Sequence, residues 1–184
     1  SLVMDIKGDL SGIAVEGEQN DKINERYAKT KLPYQPQSFP VELMTISSEK
    51  GLKLRATVTE FGPVLLSKIL GLNDTQASIM SIVFKYSDDK GLPLIDLDDL
   101  KKVLQYVTDN AEGKKDLANN YGAISPASLG AIIRSIVAME QQGATGFFGE
   151  PSFDVVDLLQ TRGGKGVVNV LRVADIQNQP QLFS

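Results

Sequence analysis

Cysteine, histidine and tryptophan are all missing from this chain of 184 residues. Without cysteine there is no disulfide and no thiolate nucleophile. Without histidine there is no Cys/His zinc site and no Ser-His-Asp relay. A concentrated positive charge is also lacking. The formal net charge is −4 with the basic residues scattered, which leaves no electrostatic footprint for a nucleic-acid backbone. No apolar run approaches the length that a bilayer demands, and no leader-type segment precedes the first strand, so the expectation is a soluble, cytoplasmic protein with no membrane partner. What remains is ordinary. A hydrophobic content of 42% and a charged content of 23% suffice for one domain, or one core with a subdomain.

Both ends of the chain read as core-type strands. Val3-Met4-Asp5-Ile6 is an apolar run broken by an acid and followed by the Lys7-Gly8-Asp9 turn, while Val167-Val168-Asn169-Val170-Leu171 lies thirteen residues from the last position. Chains usually start and end on frayed polar segments. The expectation is therefore a middle section of a longer protein, with Ser1-Leu2 carrying no fold argument.

Between these strands the hydrophobic period changes. Residues 13–40 are irregular apart from a charged stretch, 20–31, that could hold one helix before Pro33, Pro36 and Pro40 interrupt it. Residues 41–46 and 52–58 alternate well enough for a hairpin turning at Ser48-Glu49-Lys50-Gly51. From about residue 60 the spacing becomes helical. A short helix is expected over 63–70, and a second, capped by Asn73 or Asp74 and reaching Tyr86, with Ile79, Ile82, Val83 and Tyr86 on one face. Asp96 caps a third, striped by Leu97, Leu100, Val103, Leu104 and Val107, and residues 114–121 add a turn or two. Ser125-Pro126 opens the clearest helix, with Leu129, Ile132, Ile133, Ile136, Val137 and Met139 along its stripe. A short helix at 153–159 precedes the closing strand. The order, strands around a helical block, predicts an α/β protein with a helical subdomain inserted between strands of one sheet.

Several motifs invite a functional reading and fail on spacing. With Gly91 as the invariant glycine of a calcium loop, the first and twelfth ligand positions fall on Tyr86 and Leu97, which cannot supply carboxylates. Gly163-Gly164-Lys165-Gly166 lacks the phosphate-loop glycine at Leu159 and the hydroxyl at Gly166, and it runs into a strand rather than a helix. Residues 125–149 could form a recognition helix and wing of a winged-helix DNA-binding module, the alternative to the reading below. That helix offers only Arg134, Gln141 and Gln142 to a groove. Asp5, Lys7 and Asp9 form the one charged cluster at the C-terminal end of a core-type strand, where open α/β sheets hold ligands.

Taken in order, these segments resemble the bacterial HerA-like ATPases, within the HerA/FtsK group of P-loop motors. The resemblance rests on Val3-Met4-Asp5-Ile6-Lys7-Gly8-Asp9-Leu10-Ser11-Gly12, Arg55-Ala56-Thr57-Val58, Gly62-Pro63 and Leu65-Leu66. It continues through Asn120-Tyr121-Gly122, Ser125, Ser128, Gly130-Ala131-Ile132, Glu140-Gln141-Gln142-Gly143-Ala144, Phe147-Phe148-Gly149-Glu150-Pro151 and Gly164-Lys165-Gly166-Val167-Val168-Asn169. It implies a partial P-loop NTPase core: residues 1–59 with strand 3–6 and hairpin 41–58, an inserted helical subdomain over 60–160, and a returning strand with the start of a helix near Ile176 over 161–184. It also implies Walker A and Walker B segments outside these residues, ATP and Mg as cofactors of the parent, none for this piece alone, a hexameric homo-oligomer, and DNA as a possible partner. Asp5, Lys7 and Asp9 become nucleotide-proximal candidates, no residue is assigned a catalytic role, and the strands at 3–6 and 167–171 are expected to be exposed edges.

Overall fold

A computed structural model describes residues 1–177, and the chain is α/β as its patterning predicts. It divides into two compact units. The first comprises Ser1–Thr45, Lys50–Leu52 and Asp154–Ala174; the second comprises Ile46–Glu49, Lys53–Phe153 and the segment from Asp175.

The first unit carries most of a four-stranded sheet in the order β1-β6-β2-β3, with β1 at Leu2–Asp5, β2 at Val41–Thr45, β3 at Leu52–Lys53 and β6 at Val168–Arg172. β6 runs parallel to both of its neighbours, with Val170 opposite Val3 on one side and Leu43 on the other. The parallel pairing of the first and last strands is the arrangement that distinguishes one split sheet from a separate antiparallel wing. It also corrects one expectation. β6 is no exposed edge, because the chain's own β2 occupies its second side; of these two strands β1 alone lies at a border of the sheet.

Burial follows this order: Val170 is fully covered and Leu171 nearly so, whereas Leu2, Met4 and Ile6 stay about half exposed. The predicted charged helix is α1, Asp21–Thr30, started by the Asn20 side chain accepting from Ile23 N–H. Thr161–Arg162 and Lys165–Gly166 form a small antiparallel hairpin, β4 and β5, around Gly163 and Gly164 at φ 58° and 75°. Left-handed backbone at both central positions is what a two-residue hairpin turn demands, and glycine adopts it freely.

The second unit is helical: α2 at Val58–Ile69, α3 at Asp74–Asp89, α4 at Leu97–Asp109, α5 at Ala111–Tyr121 and α6 at Pro126–Gln141. The stripes of α2, α3, α4 and α6 meet in one core of Val58, Leu66, Met80, Val83, Leu97, Leu100, Leu104, Leu129, Ile132, Ile136 and Met139, all essentially covered, while Leu117 of α5 joins a smaller cluster with Tyr86 and Val107. α6 is rotated slightly from its expected phase. Ile132 is fully buried, Ile133 only packs against the core, and Val137 is 40% exposed.

Caps set the boundaries. Asn73 and Gln76 form a capping box, Asp96 accepts from Asp99 N–H, and Asn110 accepts from Glu112 and Gly113 N–H, starting α5 earlier than expected. Ser125 occupies the predicted cap of α6 but makes no side-chain capping bond; Pro126 defines that start.

The expected second strand of the hairpin, 52–58, shortens to Leu52–Lys53. Ala56 exchanges backbone hydrogen bonds with Phe147 and Gly149 instead, and Thr57 with Glu60 opens α2 through a capping box. Gly62, at φ 79°, breaks α2 internally just ahead of Pro63, so the helix expected over 63–70 is its second half. Phe147 and Phe148 pack edge-on against Phe61 and each other. The residues that a DNA-binding wing would project are thus folded into the helical unit. Where the helix is expected to start, near Ile176, the chain forms a 3-10 turn, Ala174–Ile176, and the rest of that expectation falls outside the described residues.

Candidate functional site at the C-terminal edge of the parallel sheet

The three parallel strands end in register on polar residues. Asp5 of β1 stands opposite Arg172 of β6, and Arg172 stands opposite Thr45 of β2. Asp5 is 1% exposed and Thr45 is fully covered, and charged or hydroxyl groups are rarely so deep in a strand without partners. For Asp5 the partners are plain. Its Oδ1 accepts from the N–H of Gly8 at 2.7 Å and of Asp9 at 3.2 Å, and its Oδ2 from the N–H of Leu10 at 3.3 Å. Its carbonyl accepts from Val173 N–H at 3.1 Å.

The carboxylate therefore folds the following turn around itself. Gly8, at φ 81°, supplies the left-handed residue that the tight approach requires. That turn carries Lys7 and Asp9 outward as exposed side chains, and Asp9 heads the short 3-10 turn Leu10–Ala14 without a side-chain capping bond. Of the sequence-predicted residues, one is the buried frame of the loop and two are its solvent-facing charges. A framed acidic turn of this kind can present a lysine and a carboxylate to a ligand beyond the strand ends.

Sequence reasoning missed three residues. Asn169, 2% exposed in the middle of β6, donates from Nδ2 to Leu158 O at 2.8 Å and to Ser1 O at 3.3 Å. Its signal was available, since an amide inside a valine run needs buried partners. Thr45 and Arg172 end strands whose register the pattern alone did not give.

The motifs rejected on spacing have structural partners. Lys165 donates to Ser38 O at 3.2 Å and lies 5.4 Å from the Phe39 ring centroid, while Arg162 pairs with Glu42. Asp89 accepts from Lys85 and from Tyr121 Oη, and these bonds, Lys85 first, hold its carboxyl below the usual range. Among the described residues no group of three or more acidic side chains is placed to hold a metal ion. Among the described residues the arrangement does not fit a complete ATP–magnesium site: Lys165, flanked by Gly164 and Gly166, is held in a hairpin, and Asp5 faces backbone amides. No single helix among the described residues is long and apolar enough to cross a membrane.

The family model for the helicase HerA-like C-terminal domain matches residues 1–184. No curated protein matches the chain.

Proposed function

We propose that this chain, which belongs to the helicase HerA-like C-terminal family, is the central part of a nucleotide-driven motor and does not turn over ATP by itself. The observation that carries this reading is the parallel β1-β6-β2 arrangement with Asp5, Lys7 and Asp9 gathered at its C-terminal edge. Ligands of open α/β sheets bind at that edge. In this reading Asp5 keeps the turn rigid, and Lys7 and Asp9 face the phosphate side of a nucleotide. The phosphate cradle and the magnesium ligands come from Walker A and Walker B segments of the parent, because such chemistry is positioning by loop amides, a lysine and a metal. Assembly as a hexamer and action on DNA belong to the same proposal and draw their support from family membership.

Calorimetry on the 184-residue chain tests it. ATP with magnesium should bind no better than millimolar, with no phosphate release above the blank. Micromolar affinity or steady turnover would show that the chain holds a complete site and would overturn the reading.

A further inference from the structure

We propose that the helical unit carries a separate binding site for a phosphate group of a small molecule, in the cavity of about 310 Å³ lined by Ser47, Ser48, Lys53, Arg55, Thr145 and Asp175. In the extended run that leaves β3, positions two apart share a face, which sends Lys53 and Arg55 the same way. Their roles then separate. Lys53 donates to Ser47 O and, at 2.7 Å, to Glu49 O, so its ammonium closes the loop that brings Ser47 and Ser48 to the cavity. Arg55 donates from Nη1 to Glu150 O at 2.9 Å, which fixes the guanidinium plane. Its Nε is buried and has no hydrogen-bond partner.

A guanidinium is always charged and presents its N–H groups in a rigid fork matched to planar or tetrahedral oxyanions. Arg55 and Lys53 set two cations beside the hydroxyls of Ser47, Ser48 and Thr145 at one cavity, a lining that calls for an acceptor-rich ligand. Thr145 reaches the same space from the turn that follows Gly143, whose φ of 91° redirects the chain at the end of α6.

Charge and size narrow the ligand. Asp175 offsets one of the two cations, so the cavity suits a group bringing about one or two negative charges, the range of a phosphate at neutral pH. The volume is at the low end for ligand pockets and seats a phosphate or diphosphate group. A nucleic-acid backbone would need a track of positive charge, and a chain of net charge −4 with scattered lysines does not offer one. This site lies on other residues than Asp5, Lys7 and Asp9, so a residue-by-residue map of binding tells it from the sheet edge.

The test titrates inorganic phosphate and pyrophosphate into the isotopically labelled 184-residue chain, following amide shifts by NMR with calorimetry beside it. Saturable shifts should centre on Ser47, Ser48, Arg55 and Thr145. Arg55→Gln should weaken pyrophosphate binding by about tenfold or more, Arg55→Lys by less, because charge survives while the fork does not. Thr145→Ala should cost about a few-fold, and Lys102→Gln, an exposed side chain on α4, nothing. If Arg55→Gln fails to fold, the shift map and Thr145→Ala decide. Absence of saturable shifts at these amides, or wild-type affinity in a folded Arg55→Gln, would overturn the site. Tighter binding of a single-stranded oligonucleotide than of pyrophosphate, growing with its length, would overturn the assignment to a small molecule.

Discussion

The two units order themselves by different means. In the helical unit, α2, α3, α4 and α6 close one apolar core around Leu66, Met80, Leu100, Leu104, Ile132 and Ile136, each at 0% exposure, and α5 packs beside it through Leu117 against Tyr86 and Val107. The sheet unit keeps Val170 at that level but leaves Leu2, Met4, Val155, Val156 and Leu159 substantially uncovered. Its deepest polar residues, Asp5, Thr45 and Asn169, lie on or at the ends of the strands. Helices bury one stripe each and need only one another, whereas a parallel sheet asks for cover on both faces. The contrast assigns apolar closure to the helical unit and a larger polar share to the sheet unit. The most decisive substitutions should therefore be apolar in one and polar in the other.

The largest effect is expected in the helical core. Leu104→Ala removes a fully covered side chain among α4's neighbours and should cost about 2–5 kcal/mol. Met4→Ala on exposed β1 should stay within about 0.5 kcal/mol. Thermal or urea unfolding of both variants measures the difference. Comparable losses would erase the contrast between the units.

Next comes Asp5→Ala, which strips the acceptor from the N–H groups of Gly8, Asp9 and Leu10. Hydrogen bonds to charged groups contribute more than neutral ones, so a loss of about 1.5–3 kcal/mol is expected. Hydrogen exchange should quicken at Gly8 and Leu10 before it does in the helical core. Asp5→Asn keeps one oxygen and should lose less. An Asp5→Ala protein with unchanged melting and unchanged exchange in that turn would mean that polar framing contributes nothing to the sheet edge.

How much of this was legible follows from the same division. Helical spacing and caps are local, so Asn73, Asp96, Pro126 and the stripes around Leu100 and Leu129 placed α3, α4 and α6 from sequence alone. Where local signals compete, the reading slipped. Pro63 correctly announced a helix, but the capping pair Thr57 and Glu60 opened it earlier, and Gly62 absorbed the break. The run 52–58 alternates like a strand, yet Ala56 pairs with Phe147 and Gly149, some ninety residues on. Strand order is non-local in the same way: nothing in the pattern says that β2, rather than a neighbour from elsewhere, flanks β6. At the candidate site, the cluster Asp5, Lys7 and Asp9 was visible as charge after a strand. Its split into a buried frame and exposed charges depended on the turn geometry at Gly8.

The smallest expected effect joins two helices of the covered unit through charge. Lys101 on α4 bridges Glu140 on α6 at 2.8 Å and Asp98 at 2.7 Å, and the Lys101 and Glu140 side chains are 21% and 16% exposed. The hydrogen bond to Asp98 and then that to Glu140 hold the Lys101 ammonium above the usual lysine range. The folded state thus binds this proton more tightly than the unfolded chain does. The contribution is fully present below the ordinary lysine value and fades as pH rises through the higher folded value. Asp98 is largely in water, so screening leaves the α4–α6 bridge as the main part, and the total should stay under about 1 kcal/mol. Other lysines and tyrosines titrate in the same window, which makes a difference measurement necessary. Melting curves of the wild type and of Lys101→Met, taken from about pH 8 to 11, should converge toward the alkaline end. Glu140→Gln should show a smaller version of the same convergence. Parallel curves over the whole range would mean that the bridge, although short, leaves α4 and α6 held together by Leu100, Leu104, Ile136 and Met139 alone.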